Sequence, residues 1–149
     1  LSDYVEEGGT LIAFDVASDF VIEQFGLPLR DAVEGASSND FFIPGSLIKA
    51  GVDTSNPLAF GMKDTVAVSF NRSRAFTIDK QRKTGEGGEE DKGTLAQKDI
   101  RFIAKKPAMV KAKYGKGSAI LFAFRPQFRA QPRGTYKLIF NAIYDGASE

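Results

Sequence analysis

Apolar and polar positions alternate between helical and extended patterns along the first part of the chain. Residues 1–8 carry apolar side chains on one helical face and end in two glycines, which stop a helix. Residues 10–14 form a nearly all-apolar run, which predicts a strand covered on both faces, with Asp15 at its carboxyl end. Ser18 or Asp19 is expected to cap a second helix. The order helix, strand, helix is typical of α/β domains with a parallel sheet.

The later part of the chain predicts more strands and one closing helix. Alternating patterns over 46–52 and 66–70 indicate strands, and 109–114 and 118–124 predict a hairpin around a glycine-containing turn. Thr135 is expected to cap the last helix. The predicted apolar stripe of that helix comprises Tyr136, Ile139, Phe140, Ile143 and Tyr144. We therefore predict a mostly parallel sheet with a C-terminal hairpin, flanked by helices.

One segment has a biased composition. Residues 80–93 are rich in glycine and in charges of both signs and lack an apolar anchor, so we predict that 80–98 is a mobile loop insertion within a single domain spanning 1–149. An acidic calcium loop is rejected because the acids of this segment lack the alternating ligand spacing that such a loop needs.

Composition excludes several kinds of chemistry. The 149 residues contain no histidine and no cysteine, so Ser-His-Asp hydrolysis, Cys-His amidotransfer and His/Cys zinc sites cannot be built from this chain alone. We predict no metal and no cofactor in the chain. With 20 basic and 19 acidic side chains, its net charge of +1 gives no general attraction to nucleic acid. No apolar run approaches the length of about 20 residues needed to span a bilayer.

Three arginines are the candidate binding residues. Arg125, Arg129 and Arg133 lie between the best predicted strand and the last helix. In open α/β sheets, ligands bind at the carboxyl ends of strands, and guanidinium groups suit carboxylates and phosphates. The alternative is that these arginines pair with acids of neighbouring elements, which we favour because no glycine-rich phosphate loop accompanies them.

Several stretches of the chain resemble the C-terminal domain of bacterial zinc carboxypeptidase family proteins, the carboxypeptidase A-like metallopeptidases. The resemblance covers nearly the whole chain except 80–98. The most specific stretch runs from Gly115 to Gln131 and includes Phe124, Arg125 and Pro126. The matching stretches are 4–12, 25–28, 44–48, 56–62, 73–76, 115–131 and 134–141.

This resemblance implies a class I glutamine amidotransferase-like, flavodoxin-like three-layer fold that lacks its first strands. It also implies that the zinc ligands and the catalytic glutamate of the peptidase belong to an upstream domain of the same polypeptide, so zinc would be a cofactor of the parent enzyme. Secretion or a periplasmic location is implied in the same way. No catalytic residue can be transferred from the family to this chain.

Three functions are therefore carried forward. The first is a non-catalytic accessory domain of an exported zinc metallocarboxypeptidase, which contacts its upstream domain. The second is a domain that binds a small anionic ligand, such as an anionic sugar or a peptide carboxylate, at the Arg125–Arg133 loop. The third is a carboxylate-based hydrolase, for which no pair of acids stands out. Arginines that converge on an open pocket favour the second function, whereas arginines paired with protein groups favour the first.

Overall fold

The computed structural model describes residues 1–36, 43, 45–79, 90–91, 95–97, 103 and 105–148. The helices are α1 (Ser2–Glu6), α2 (Val16–Gln24) and α3 (Tyr136–Ala147). The strands are β1 (Thr10–Phe14), β2 (Leu29–Asp31), β3 (Ser46–Val52), β4 (Thr65–Phe70), β5 (Phe76–Ile78), β6 (Glu90–Asp91), β7 (Leu95–Gln97), β8 (Met109–Tyr114) and β9 (Gly117–Phe122). The chain thus forms a mixed α/β domain.

The strands form three hydrogen-bonded groups. A four-stranded sheet has the order β1-β9-β8-β6, a three-stranded sheet the order β4-β3-β7, and β2 pairs with β5. Within the described residues, β1–β9 is the only parallel ladder, and the others are antiparallel. A mostly parallel sheet is therefore not confirmed. The physical reason is that a short turn can join only antiparallel neighbours, as in the predicted β8–β9 hairpin, which the structure confirms.

The centre of the domain is β9, whose six residues are all buried. Its alternate side chains pack to opposite faces of the sheet. Leu121 belongs to an apolar cluster with Ile22 of α2, and Ile120 belongs to a second cluster with Leu138 of α3. Full burial of such an aliphatic side chain stabilises a fold by about 1.5–3 kcal/mol. The predicted two-sided cover of the central strands therefore comes from helices on both faces.

The start of β9 packs closely against the turn between α1 and β1. A Cβ added at Gly117 would overlap the carbonyl oxygens of Gly9 and Val5. Gly115, in the preceding hairpin turn, has a φ of +60°, a conformation that suits glycine. These glycines allow the hairpin to join the edge of β1 without a gap.

The predicted start of the second helix is wrong, whereas Thr135 is the N-cap residue of the last helix as predicted. The second helix begins at Val16, so neither Ser18 nor Asp19 is its N-cap. The Ser18 hydroxyl instead lies 3.0 Å from the Phe122 carbonyl oxygen, and Asp19 forms an ion pair described below. Thr135 does precede α3, but its hydroxyl lies 2.7 Å from the Pro132 carbonyl oxygen and makes no cap bond to the helix.

The predicted stripe on α3 is only partly right. Leu138 and Ala142 are the fully buried residues of this helix, whereas Phe140, Ile143 and Tyr144 are 58%, 52% and 73% exposed. The i, i+3, i+4 spacing gave a correct helix, but Tyr136 and Ile139 are only half-buried, and the buried face carries Leu138 and Ala142, which pack with Ile120 of β9.

Two further predictions concern loops. Residues 29–31, for which the sequence pattern predicted no strand, form β2, which pairs with β5. In the predicted insertion at 80–98, residues 90–91 and 95–97 form β6 and β7, and the remainder lies outside the described residues. No helix in the part of the chain that the structure describes is both long and apolar enough to cross a membrane.

Candidate functional site

The turn between β1 and α2 holds the most unusual residue of the described chain. Asp15 has φ 51° and ψ −121°, a conformation that non-glycine residues rarely adopt. Its N–H donates to the carbonyl oxygen of Phe122 at 2.8 Å, so the turn is tied to the end of β9. A sharp, strained strand-to-helix turn is the geometry that presents a nucleophile in α/β hydrolases. Whether this turn can take part in a reaction therefore depends on the surroundings of the Asp15 carboxylate.

The carboxylate of Asp15 is buried, and each of its two oxygens accepts a hydrogen bond from an arginine. The residue is 2% exposed. Arg74 donates from Nη1 to Oδ1 at 3.0 Å, and Arg125 donates from Nε to Oδ2 at 2.7 Å. Both oxygens therefore face a guanidinium group instead of solvent. These charge-assisted hydrogen bonds lower the nucleophilicity of the carboxylate, and its burial limits the access of a substrate.

Arg74 joins Asp15 to the first turns of α2. Its Nε and Nη2 donate to Oδ2 of Asp19 at 3.0 and 2.7 Å, and its backbone N–H donates to the carbonyl oxygen of Ala123 at 2.7 Å. Burial alone would lower the pKa of the Arg74 guanidinium, but the hydrogen bonds and charges of Asp19 and Asp15 outweigh it and raise the pKa. Arg74 is thus a permanent cation between two acids. We refer to Asp15, Asp19, Arg74 and Arg125 as the elbow cluster.

The structure separates the three predicted arginines. Arg125 belongs to the elbow cluster, although its side chain is 49% exposed. Arg129 and Arg133 line a cavity on the other side of the loop. The Phe128 ring contacts two of the three arginines. The guanidinium carbons of Arg125 and Arg129 lie 6.0 and 5.3 Å from its ring centroid. Arg125 is not among the described residues that line this cavity, although Phe128, which it contacts, is one of them.

The cavity beside Arg129 and Arg133 has a volume of about 660 Å³. Residues of β3 and β4 form one wall, and residues 128–134 form the other. The described residues show no hydrogen bond or ion pair to the guanidinium groups of these two arginines. Ligand binding by the Arg125–Arg133 loop stays a prediction. Of its three arginines, Arg129 and Arg133 are the two that line this cavity.

A second cavity, of about 370 Å³, lies below α2 and contains several acids. Asp31 accepts the backbone N–H groups of Val33 and Ala75, both at 3.1 Å. Burial raises the pKa of the Asp31 carboxyl, and these two hydrogen bonds oppose the shift without cancelling it. The carboxylate therefore fixes a loop, and it shares the cavity with Asp19, whose negative charge also raises the pKa of Asp31. Among the described residues, no group of three or more acidic side chains is arranged to hold a metal ion.

Sequence reasoning did not select Asp15 or Arg74 as site residues. A signal was present, because Asp15 is a single acid directly after an all-apolar strand and before a helix. Arg74 carried no comparable signal. It lies 59 positions from Asp15 in the chain. The hydrogen bond from its backbone N–H to the Ala123 carbonyl oxygen, just after β9, holds its side chain within reach of Asp15.

Comparisons with known proteins show the fold and no family. No family model matches the chain, and no curated protein matches it. Among solved structures, the chain is similar to a β-galactosidase from Bacillus circulans sp. alkalophilus (TM-score 0.58, 12% identity), covering 97% of this chain and 20% of that one. It is also similar to a cytoplasmic protein from Salmonella typhimurium (TM-score 0.56, 17% identity), covering 95% and 56% of the two chains. A ThuA-like protein from Bacteroides uniformis gives a TM-score of 0.52 at 12% identity, covering 95% and 59%.

These likenesses define the class of the protein as a small mixed α/β domain. The chain spans about a fifth of the length of the β-galactosidase and somewhat more than half of the other two proteins. At these identities the likeness carries no activity from those proteins to this chain.

Proposed function

We propose that this chain is a non-catalytic accessory α/β domain of a larger enzyme. The observation that carries the proposal is the elbow cluster. At the strained turn where α/β hydrolases present a nucleophile, this chain has a carboxylate that is 2% exposed and paired with two arginines. The cluster stabilises the end of the central strands and leaves no reactive group there.

For the finer fold, we propose a class I glutamine amidotransferase-like, flavodoxin-like three-layer arrangement. Helices on both faces of the β1–β9 pair support it, as does the likeness to a ThuA-like protein. The amidotransferase cysteine and histidine are absent from the sequence, which agrees with an accessory role.

The parent enzyme that we propose is an exported zinc metallocarboxypeptidase, with the peptidase in an upstream domain. This proposal rests on the sequence resemblance over 115–131 and 134–141 and on the other matching stretches. Its zinc would belong to the upstream domain, and the accessory domain would contact that domain or a peptide.

The test compares the full-length parent with the 149-residue chain on a peptide with a free carboxyl terminus. We expect release of the C-terminal residue by the parent alone, and we expect a zinc chelator to abolish it. Release by the 149-residue chain would overturn the accessory role. If the parent releases the residue despite the chelator, or releases no residue at all, the metallocarboxypeptidase assignment is wrong. The accessory role is then tested by substitutions in the elbow cluster.

A further inference from the structure

We propose that the cavity lined by Arg129 and Arg133 binds a small polyhydroxylated carboxylate, such as a sugar acid. The cavity lies between the β3–β4 pair and residues 128–134, and its volume of about 660 Å³ falls in the range of small-molecule sites. The proposal concerns a different surface from the elbow cluster and does not depend on the accessory role.

The charge of the lining favours an anion. Arg129 and Arg133 are its two ionised side chains, and no acid is among the described residues that line it. Arg125, by contrast, is already neutralised by Asp15. A guanidinium group offers two parallel N–H donors, which match the two oxygens of a carboxylate. Gly134, in the short turn that leads into α3, lies in the same lining and adds no negative charge to it.

The backbone at Arg129 is strained, and this strain helps to fix the position of its cationic side chain. Arg129 and Ala130 have φ values of 50° and 55°, two successive non-glycine residues in the left-handed region. Each such residue costs about 1 kcal/mol or more, and strain of this kind clusters at ligand sites. The Arg129 guanidinium carbon lies 5.3 Å from the Phe128 ring centroid, which restricts its position at the cavity edge. The positive group is thus partly pre-organised before a ligand arrives.

The rest of the lining suits a hydroxylated body. Ser46, Ser69, Asn71 and Gln131 contribute hydroxyl and amide groups, which both donate and accept hydrogen bonds as sugar hydroxyls require. Leu47 is 70% exposed and lies in the same wall, where it can cover the C–H face of a ring. A ligand with one carboxylate and several hydroxyls uses both parts of this lining.

The test titrates the 149-residue chain with glucuronate and with glucose, a pair that differs only in the carboxylate, by calorimetry or by NMR chemical shifts. We expect glucuronate to bind at least about tenfold more tightly than glucose, which is the contribution of a charge-assisted hydrogen bond. Arg129→Gln and Arg133→Gln are each expected to weaken glucuronate binding by about tenfold. The matched control is Arg30→Gln, which removes an exposed arginine outside this cavity and should leave binding unchanged.

Three results would overturn the proposal. One is the absence of glucuronate binding at about 10 mM, a concentration above the Kd of even a weak specific site. Another is glucuronate binding that neither arginine substitution weakens while circular dichroism shows both variants folded. The third is inorganic phosphate binding as tightly as glucuronate, which would overturn the assignment of a sugar body.

Discussion

Replacing Arg74 by methionine tests whether the elbow cluster supports the fold. The substitution keeps the apolar stem but removes the hydrogen bonds to Asp15 and Asp19. Removing one partner of a buried ion pair costs about 3–5 kcal/mol. Asp15 still keeps its 2.7 Å bond to Arg125, and the Arg74 side chain is 19% exposed. We therefore expect a loss of about 3 kcal/mol, at the low end of that range.

The assay is urea unfolding followed by circular dichroism, because the chain has no tryptophan. A double-mutant cycle with Asp15→Asn isolates the pair, since asparagine has the size and shape of aspartate without its charge. We expect a coupling free energy of about 1.5 kcal/mol or more between the two positions. Arg133→Met, at an exposed arginine whose guanidinium group has no hydrogen bond or ion pair to the described residues, is the control and should change stability by less than about 0.5 kcal/mol.

A free energy of unfolding for Arg74→Met within about 1 kcal/mol of the natural chain, with an unchanged dependence on urea, would show that the elbow cluster does not support the fold. A coupling free energy near zero would show the same. Either result would mean that the ion pairs are exposed enough to water to contribute little, as surface pairs do.

Three further predictions concern the core and the pH dependence of stability. Burial raises the pKa of Asp31 above its ordinary 3.8 in the folded state, so its stabilising contribution is present below pH 3.8 and is lost as pH rises through the folded pKa. Asp31→Asn, which keeps the accepting oxygen, should flatten the free energy of unfolding across that interval. Gly117→Ala should cost about 3 kcal/mol or prevent folding, because its Cβ overlaps carbonyl oxygens of the α1–β1 turn, whereas Gly45→Ala, in open space, should be nearly neutral. Leu138→Ala should cost about 2–5 kcal/mol, and Tyr144→Ala, at a position 73% exposed, less than about 0.5 kcal/mol.

Each of these has a clear contrary result. A pH profile of the free energy of unfolding that Asp31→Asn leaves unchanged would mean that the folded chain does not perturb this carboxyl. Equal unfolding midpoints for the two alanine variants at glycine would contradict the close packing of β9. A larger loss from Tyr144→Ala than from Leu138→Ala would mean that the exposed stripe of α3 is its packed face.

The central strands could be predicted from the sequence because burial on both faces leaves an unbroken apolar run. Residues 11–14 and 119–124 have such runs, and the glycine turn between β8 and β9 fixed the hairpin. The buried face of α3 could not be predicted in the same way. Its sequence has apolar residues around most of the helix, and the sheet selects the face that carries Leu138 and Ala142.

For the candidate site, the sequence predicted the position of the loop but not the direction of its arginine side chains. The loop between β9 and α3 was placed correctly, but sequence distance along 125–133 does not show which way each guanidinium group turns. Arg125 turns towards Asp15, and Arg129 and Arg133 line the cavity beside β3 and β4. The partner that decides this, Asp15, lies 110 positions away from Arg125 in the chain.

The most direct test of the accessory role is the activity of the full-length parent with Asp15→Asn. The measurement is turnover per folded molecule, with folding followed by circular dichroism. If the elbow carboxylate is only structural, turnover stays within about twofold of the natural protein, since no transition-state interaction is lost. A fall of about a hundredfold or more in a folded variant, the size expected for loss of a catalytic acid or base, would make Asp15 catalytic and contradict the account.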